Sequence, residues 1–378
     1  MDRASRVSAA KGPVVQSVFF AFRDAPERRA ALRTPGSLDR YRLFGLDEIA
    51  RRGVHVLHNL ERERAPLSAR VLGKATNMWL DARGGLGGDF ATPLASRRKL
   101  NTADVVFATV DTVGIPLVQL KRVGLVRPPV VYASIGLPER LARLRDERSF
   151  RRALRTASTI VAYSSIEADR LREWLGANSP RVLFVPFGVD TEAFRPKSDH
   201  GPEVDVVSIG ADPRRDFELL LEVARRRPEV SFRIVASGER VRALAPLPPN
   251  VVSESEIPLE AVRERLASAR VVALPVRENS YSGATTTLLQ GMAMGKPVVV
   301  SRTDAVADGY DLEDGANCVL VTPGDAEAFE AALSELLSSS NTADNLGARA
   351  RETVVRGFSW QRYTDRLWEI LSAASERS

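Results

Sequence analysis

Cysteine and histidine are nearly absent from this sequence. The 378 residues include one cysteine, Cys318, and three histidines. A single cysteine excludes a disulfide within the chain, and its apolar neighbours in NCVLV indicate a buried, unreactive thiol. The few histidines and the lone cysteine also offer no ligand set for a structural zinc ion. We therefore expect a fold that depends on neither disulfides nor zinc, and we predict no metal ligands.

Long apolar runs are missing as well. No stretch of about 18 apolar residues occurs, and the N-terminal MDRASRVSAAKGPVVQ lacks the apolar centre of a signal peptide. Apolar residues make up 44% of the chain and charged residues 27%, which is typical of a soluble globular protein. A chain of this length suits two domains that each bury a core. The sequence predicts a two-domain cytoplasmic protein.

Positive charge is concentrated in the first half. Residues 1–200 contain 34 Lys and Arg against 21 Asp and Glu, a net charge of +13, whereas the whole chain carries +6. Seven arginines lie between Arg140 and Arg155 and alternate with leucines and Phe150. We predict one basic helix between Leu137 and Leu154 that either contacts an anionic membrane surface, at the inner face of the membrane, or is a solvated face. No zinc-finger spacing and no pattern of an RNA-binding sheet occurs, so nucleic acid is not an expected partner.

Two common nucleotide-binding loops are also absent. No GxGxxG motif follows a predicted strand, so a dinucleotide site is not indicated. The segment GMAMGKP is one residue short of a phosphate loop, and Pro297 stands where Ser or Thr would bind magnesium. A nucleotide would have to be held in another way.

Strands and helices alternate along the whole chain. Apolar, β-branched runs predict strands at residues 14–20, 54–57, 103–108, 129–134, 159–163 and from 181 in the first half, and at 204–209, 231–235, 270–274 and 298–300 in the second. This alternation predicts an α/β protein of two doubly wound, Rossmann-like domains. We place them at residues 1–190 and 191–357, with an irregular crossing between them at residues 181–196.

The stretch YSGATTTLLQGMAMGKPVVVS from Tyr281 organises the second half. Small residues open a helix here, and Gly295 and Pro297 end it before a buried strand. Backbone N–H groups are therefore uncovered at the positive end of the helix, where a phosphate could bind, although Ser and Thr are also ordinary helix caps. The candidates for this opening are Ser282, Gly283, Ala284 and Thr285.

Candidate ligand residues of the first half lie in loops. Gly36 and Ser37 precede a helix and could hold a phosphate, and a loop with four glycines at residues 84–88 leads to Asp89. Asp111 and Ser134 follow the carboxyl ends of predicted strands, where ligands bind in open parallel sheets. Each of the two could instead cap the next helix.

Four ordered segments resemble one enzyme family. The crossing FVPFGVDTEAFRP resembles the interdomain signature of the retaining glycosyltransferases of family four, which have the two-domain fold called GT-B. TLLQGMAMGKPVVVS is similar to their donor-site helix, and VTPGDAEAFEAALSELL to the segment after it. The terminal FSWQRYTDRLWEIL resembles their last helix, which crosses back onto the first domain. The resemblance covers the C-terminal half, whereas the first half matches by layout.

The resemblance implies a nucleoside-diphosphate sugar as substrate, with no cofactor, and an acceptor hydroxyl that receives the sugar with retention. In SIGADPRRDFELLL it implies a donor site at Gly210 and a basic pair, Arg214 and Arg215, that stabilises the diphosphate without a metal ion. Asp111 is the candidate general base, unless the leaving phosphate takes the proton.

The sequence also departs from the family pattern. Two glutamates eight positions apart usually bind the sugar and the ribose, and here Ser282 and Gln290 occupy these positions. Gln290 can still hydrogen-bond ribose hydroxyls. Sugar contact is expected from Glu278, Asn279, or the backbone near Gly283. A histidine common at the end of an acceptor-domain strand is replaced by Ser134.

Three other functions stay open at this point. A sugar-nucleotide epimerase has a similar two-domain fold but would lack the family-four crossing. A catalytically degenerate scaffold would explain the replaced glutamates, and a membrane-binding module would explain the basic half. We expect a hexosyltransferase-type enzyme. Its acceptor stays open between a lipid-linked or otherwise anionic molecule, met through peripheral membrane contact, and a soluble metabolite.

Overall fold

Two parallel six-stranded sheets form the frame of the computed structural model. The structure describes residues 15–34, 38–61, 64–177, 179–196, 201–281 and 283–376. The predicted site residues Gly36, Ser37 and Ser282 lie outside these ranges.

The first sheet has the strand order β2-β1-β3-β4-β5-β6, and all its neighbours are parallel. Its strands are β1 (Ser17–Ala21), β2 (His55–His58), β3 (Val105–Ala108), β4 (Val130–Ser134), β5 (Thr159–Ala162) and β6 (Arg181–Phe184). The central strands β3, β4 and β5 are buried along their whole length, as expected for apolar runs covered by helices on both faces.

The second sheet has the order β12-β11-β10-β7-β8-β9 and is also parallel throughout. Its strands are β7 (Val204–Ile209), β8 (Phe232–Ala236), β9 (Val251–Ser255), β10 (Ala269–Leu274), β11 (Val298–Ser301) and β12 (Val319–Val321). Read from the β9 edge, the order is that of a Rossmann sheet, whose strand order reverses between β7 and β10.

Helices cover both faces of each sheet. Those of the first half are α1 (Pro26–Arg33), α2 (Leu46–Arg51), α3 (Leu67–Ala82), α4 (Ala91–Ala95), α5 (Arg97–Leu100), α6 (Asp111–Arg122), α7 (Leu137–Leu141), α8 (Glu147–Leu154) and α9 (Ser165–Leu175), with a 3₁₀ helix at Leu38–Leu43. Those of the second half are α10 (Phe217–Arg226), α11 (Gly238–Ala243), α12 (Leu259–Ala267), α13 (Thr285–Ala293), α14 (Asp304–Ala307), α15 (Ala326–Ser338), α16 (Ser340–Gly357) and α17 (Trp360–Ser375). Within the described residues, no helix is long and apolar enough to cross a bilayer.

The last helix returns to the first sheet. In α17, Tyr363, Leu367 and Leu371 recur at helical spacing and are buried in the core that covers one face of the first sheet. The chain crossing is held to the start of this helix, because Val189 N–H donates to the Phe358 carbonyl and Trp360 N–H donates to the Val189 carbonyl. The predicted α/β fold with two Rossmann-like domains and a returning helix is confirmed.

Two edge strands and several helices, α1 and α3 among them, were not predicted. β9 and β12 are partly exposed strands at the two edges of the second sheet, and their apolar runs are short. Helix α3 occupies a segment that the pattern left unassigned, and most of its apolar residues are exposed.

The predicted basic helix is wrong as a single element. The segment forms two short helices, α7 and α8, and the chain bends between them. The apolar residues between the arginines are buried in the core, namely Leu137, Leu141, Leu144, Phe150 and Leu154. A membrane could therefore meet only the polar side of this segment, because its apolar side chains are needed to hold the two helices on the domain.

Candidate active site in the interdomain cleft

A cavity of about 660 Å³ lies between the two domains. The second domain contributes residues that follow β7 and β10, including Asp212, Tyr281, Gly283, Thr285 and Thr286. The first domain contributes Arg23, Arg28, Tyr41, Arg42, Phe44, Ile135 and Tyr163, and Phe187 of the crossing lies between them. A cavity of this size can enclose a small organic ligand.

The second-domain wall is built at the point where the strand order reverses. β7 and β10 are neighbours in the sheet. A hydrogen bond connects the loops that follow them, in which Arg277 N–H donates to the Arg214 carbonyl at 2.8 Å. In an open α/β sheet the crevice beyond the carboxyl ends of two such strands is the usual ligand site. The fold therefore places residues 210–216, 275–281 and 283–286 at one site.

Arg215 is a buried guanidinium in the first of these loops. Its side chain is 1% exposed, and Nη2 donates to the Ile209 carbonyl at 2.5 Å and more weakly to Ser208 Oγ at 3.4 Å. Nε and Nη1 have no hydrogen-bond partner among the described residues. Burial lowers the pKa of Arg215 to about 10, but the group stays charged at neutral pH. A buried cation with unused donors is stabilised when an anion reaches it.

Gly210 makes room for this guanidinium. A β-carbon at position 210 would lie 2.6 Å from Arg215 Nε, which is closer than any side chain allows. The guanidinium therefore packs directly on the glycine backbone at the end of β7. Any larger residue at position 210 would displace Arg215.

The N-terminus of α13 faces the same crevice. Its N-cap residue is Ala284, whose side chain cannot accept a hydrogen bond, so the first N–H groups rely on other partners. The carboxylate of Asp212 lies in front of this end, since a β-carbon at Gly283 would be 2.8 Å from its Cγ. Asp212 Oδ1 accepts hydrogen bonds from Tyr281 Oη at 3.0 Å and from Arg214 N–H at 2.7 Å. A negative charge is thus already favoured at this helix end.

The first-domain wall places two buried carboxyl groups behind the cleft. Asp111 Oδ1 accepts from Tyr132 Oη at 2.6 Å, and burial raises the pKa of Asp111 to about 6. Glu167 Oε1 accepts from Ser134 Oγ at 2.7 Å and from the N–H of Gly136 at 2.8 Å, and burial raises the pKa of Glu167 to about 8. Together the two carboxyl groups hold the loop that follows β4, whose Ile135 lines the cavity.

The two walls also touch each other. Arg214 Nη2 lies 3.3 Å from Glu139 Oε2 of α7, which is a salt bridge between the domains. Tyr310 Oη donates to the Tyr163 carbonyl at 2.8 Å and accepts from Phe187 N–H at 3.2 Å. These contacts join the two walls of the cleft.

Comparison with known proteins agrees with this architecture. Residues 204–339, which form most of the second domain, match the model of a family described as glycosyl transferases group 1. Through its second domain, the chain is similar to this family. Its GT-B fold is shared with sucrose-phosphate synthase from Thermosynechococcus elongatus, at a TM-score of 0.73 and 16% identity over 96% of this chain and 100% of that chain. It is also shared with HepE from Anabaena in complex with UDP-glucose, at a TM-score of 0.66 and 16% identity over 94% of this chain and 99% of that one.

Curated relatives are similar at a low level of identity. A protein named MMP alpha-(1->4)-mannosyltransferase from Mycolicibacterium hassiacum is 29% identical over 69% of this chain and 64% of its own length. A D-inositol 3-phosphate glycosyltransferase from Segniliparus rotundus is 27% identical over 70% of this chain and 62% of its own. The aligned region thus spans a little under two thirds of both relatives.

The predicted donor residues differ in how near they lie to the cleft. Gly283 and Thr285 line the cleft, and the buried Ala284 lies between them in the chain. Gly210 and the buried Arg215 pack on each other at the end of β7 and are not among the lining residues. Asn279 and Glu278 shape the loop after β10: Asn279 Nδ2 donates to the Arg277 carbonyl, and Glu278 Oε1 accepts from the N–H of Asn279 and of Asp304. Gln290 is buried in the middle of α13.

The other predicted residues lie farther from the crevice. Ser134 is buried and directs its hydroxyl to Glu167, and Asp89 accepts from Thr92 N–H and Thr92 Oγ at the start of α4. Asp89 lines a separate shallow surface pocket next to α3. In the described part of the chain, no three His, Cys, Asp or Glu side chains are grouped to hold a metal ion.

Three arginines of the cleft were missed. Arg23, Arg28 and Arg42 all line its first-domain wall. The pKa of Arg28 is lowered by burial and then by the neighbouring charges of Arg23 and Arg42, while Glu27, which lines the same wall as Asp24, acts in the opposite direction. Arg23 follows the carboxyl end of β1 almost directly, and this position was the available signal for a ligand residue.

Proposed function

We propose that the protein transfers a sugar from a nucleoside diphosphate to an acceptor hydroxyl. The observation that carries this proposal is the buried Arg215 guanidinium, whose two unused donors lie at the strand-order reversal of a group 1 glycosyl transferase domain. The site needs an anion, and a diphosphate that bridges Arg215 and the N-terminus of α13 would supply it. HepE, which shares the fold, was solved with UDP-glucose.

In this proposal the donor lies along the second domain. The diphosphate displaces the Asp212 carboxylate from the end of α13, and Arg214 leaves Glu139 to join Arg215. Gln290 holds the ribose, and the loop at Glu278 and Asn279 is next to the sugar.

The same groups would stabilise the transition state. As the bond between the sugar and the diphosphate breaks, negative charge grows on the leaving oxygen, and fixed cationic donors stabilise this charge more than they stabilise the substrate. With two arginines and a helix N-terminus, the reaction needs no metal ion. We propose retention, with the leaving phosphate accepting the acceptor proton. Asp111 is a weaker candidate for the base, because Tyr132 already donates to its carboxylate.

The acceptor would carry negative charge. Arg23, Arg28 and Arg42 line the first-domain wall of the cleft, where they outnumber Asp24 and Glu27, and guanidinium groups suit phosphate or carboxylate. One relative is named for D-inositol 3-phosphate, which has a phosphate group next to its hydroxyls. We propose a small or lipid-linked anionic acceptor whose charge is held by these arginines.

A thermal-shift panel of UDP-, GDP- and dTDP-sugars tests the donor, followed by a transfer assay with phosphorylated polyols, with and without EDTA. We expect one nucleotide to raise the melting temperature and transfer to continue in EDTA. Conversion of the nucleotide sugar without an acceptor would indicate an epimerase, and the absence of any nucleotide shift would indicate a degenerate scaffold. Loss of activity in EDTA would contradict metal independence.

A further inference from the structure

Helix α3 presents its apolar residues to solvent. Five large apolar side chains of this helix are between 54% and 72% exposed, namely Leu67, Val71, Leu72, Met78 and Trp79. The structure describes few other large apolar residues that are this exposed, and Val123 is the one that lines the same shallow groove as Trp79. An exposed group of this kind on one helix usually marks an interaction surface.

The exposed residues lie on one side of the helix. At 100° per residue, they fall within an arc of about 140° that also contains Ala75 and Ala82, both exposed. The opposite side is the one that packs on the domain. There Gly73 lies against the backbone of Ala91, and Asn77 exchanges two hydrogen bonds with Gly88. The apolar face is therefore directed away from the protein, and a rotation of the helix would break its packing.

Positive charge borders this apolar face. Within residues 64–83, the described charged residues are Arg64, Arg70, Lys74 and Arg83 against one acidic residue, Asp81, and all five are exposed. Arg83 lies over the Trp79 ring at 4.2 Å from its centroid. A net charge of about +3 around the apolar face would repel the same face of a second copy and would attract an anionic lipid surface.

We propose that the exposed face of α3 docks on an anionic lipid bilayer, with Leu67, Val71, Met78 and Trp79 in the headgroup layer and the basic residues at the phosphates. This surface differs from the predicted basic segment at α7 and α8, whose apolar residues are buried. It is independent of the donor site, and it would place the first-domain wall of the cleft close to acceptors that reside in or on the bilayer.

Co-sedimentation with phosphatidylglycerol and phosphatidylcholine vesicles tests the proposal on the full chain. We expect binding to the anionic vesicles alone, and quenching of Trp79 fluorescence by brominated lipid that is lost in Trp79→Phe. The variant Val71→Ser/Leu72→Ser/Met78→Ser should lose about tenfold or more in vesicle affinity. Its melting temperature should be unchanged, because the three side chains are exposed. Val252→Ser/Val355→Ser, which changes two exposed apolar residues of the second domain, is the matched control.

Two further variants separate the contributions. Arg70→Ser/Lys74→Ser should weaken binding to anionic vesicles by about tenfold or more at low salt, whereas Arg148→Ser/Arg152→Ser in α8 should leave it unchanged. Binding that ignores lipid charge, or survives the triple serine change, overturns the proposal. So does a dimer in sedimentation analysis that the triple change dissociates, because the face would then join two copies of the chain.

Discussion

Replacing Arg215 by methionine should raise the stability of the free protein and abolish its response to nucleotide. Methionine has a similar length and no charge, and it can lie against Gly210 in the place of the guanidinium. Arg215 is buried with two unused nitrogen donors, so its charge is only partly compensated in the unliganded state. The same charge is what a diphosphate would use. The substitution therefore has opposite effects on folding and on binding.

The magnitude follows from the pKa of the group. Burial lowers the pKa of Arg215 from 12.5 to about 10, and each pKa unit corresponds to about 1.4 kcal/mol, so the buried charge costs about 3 kcal/mol. Because the folded-state pKa of this base is depressed, the whole cost is present at any pH well below 10. The variant also loses the hydrogen bonds of Arg215 to Ile209 and Ser208, which costs about 1–2 kcal/mol of stability. We therefore expect a net increase of about 1–2 kcal/mol in the free energy of unfolding.

Urea unfolding at pH 7 measures the first effect, and thermal shift with the preferred nucleotide sugar measures the second. Arg225→Met is the control, because Arg225 is an exposed arginine on α10 of the same domain. It should leave both quantities unchanged. The kcat/KM for transfer should fall in Arg215→Met by a factor that corresponds to a loss of about 2–4 kcal/mol of transition-state stabilisation.

Two results would refute this reasoning. If Arg215→Met unfolds at lower urea concentration than the native protein, the guanidinium is a structural support and its charge is compensated. If the variant keeps the full nucleotide shift and activity, the diphosphate is held elsewhere.

The remaining predictions concern four other parts of the cleft. Gln290→Leu should weaken nucleotide binding by about 1–3 kcal/mol in calorimetry through an unpaired ribose hydroxyl, whereas Gln290→Glu should preserve it. Arg28→Met should lower kcat/KM for an anionic acceptor, with a loss of about 1.5–3 kcal/mol of transition-state stabilisation, and should leave donor affinity unchanged. Arg214→Ala should weaken nucleotide binding, whereas Glu139→Ala should strengthen it by releasing Arg214, and both should alter stability by at most about 1 kcal/mol because the pair is partly exposed. The pKa of Glu167 is raised from 4.5 to about 8, so the folded state binds more protons and stability should fall as pH rises from 4.5 to 8. Glu167→Gln should remove that fall in melting temperature.

Each of these predictions has a contrary outcome. Unchanged affinity of Gln290→Leu would place the ribose elsewhere, and equal loss for neutral and anionic acceptors in Arg28→Met would indicate general damage to the cleft. Equal effects of the Arg214 and Glu139 variants would mean that the salt bridge only holds the domains together. A pH slope that persists in Glu167→Gln would assign the linkage to another group.

The alternation of strands and helices was predictable because the spacing of apolar residues over a few positions determines it. Buried parallel strands are rich in apolar, β-branched residues, as in Val204–Ile209 and Val298–Ser301. The glycine at position 295, with φ of +69°, ends α13 as its sequence context indicates. These signals act over a few residues and need no knowledge of the partner. The strand pairs and the returning helix then follow from general rules of α/β folds together with the family resemblance.

The site and the surfaces depended on tertiary structure, because burial and facing are properties of contacts between distant segments. Arg214 and Arg215 are adjacent in sequence, but packing on Gly210 buries the second, while the first reaches Glu139 in the other domain. The arginine-rich segment was divided into two helices because its leucines are needed in the core. The spacing of the apolar residues in α3 places them on one side of the helix but does not show whether that side faces the core or the solvent. Gly73 and Asn77 pack the opposite side on the domain, so the apolar side is exposed.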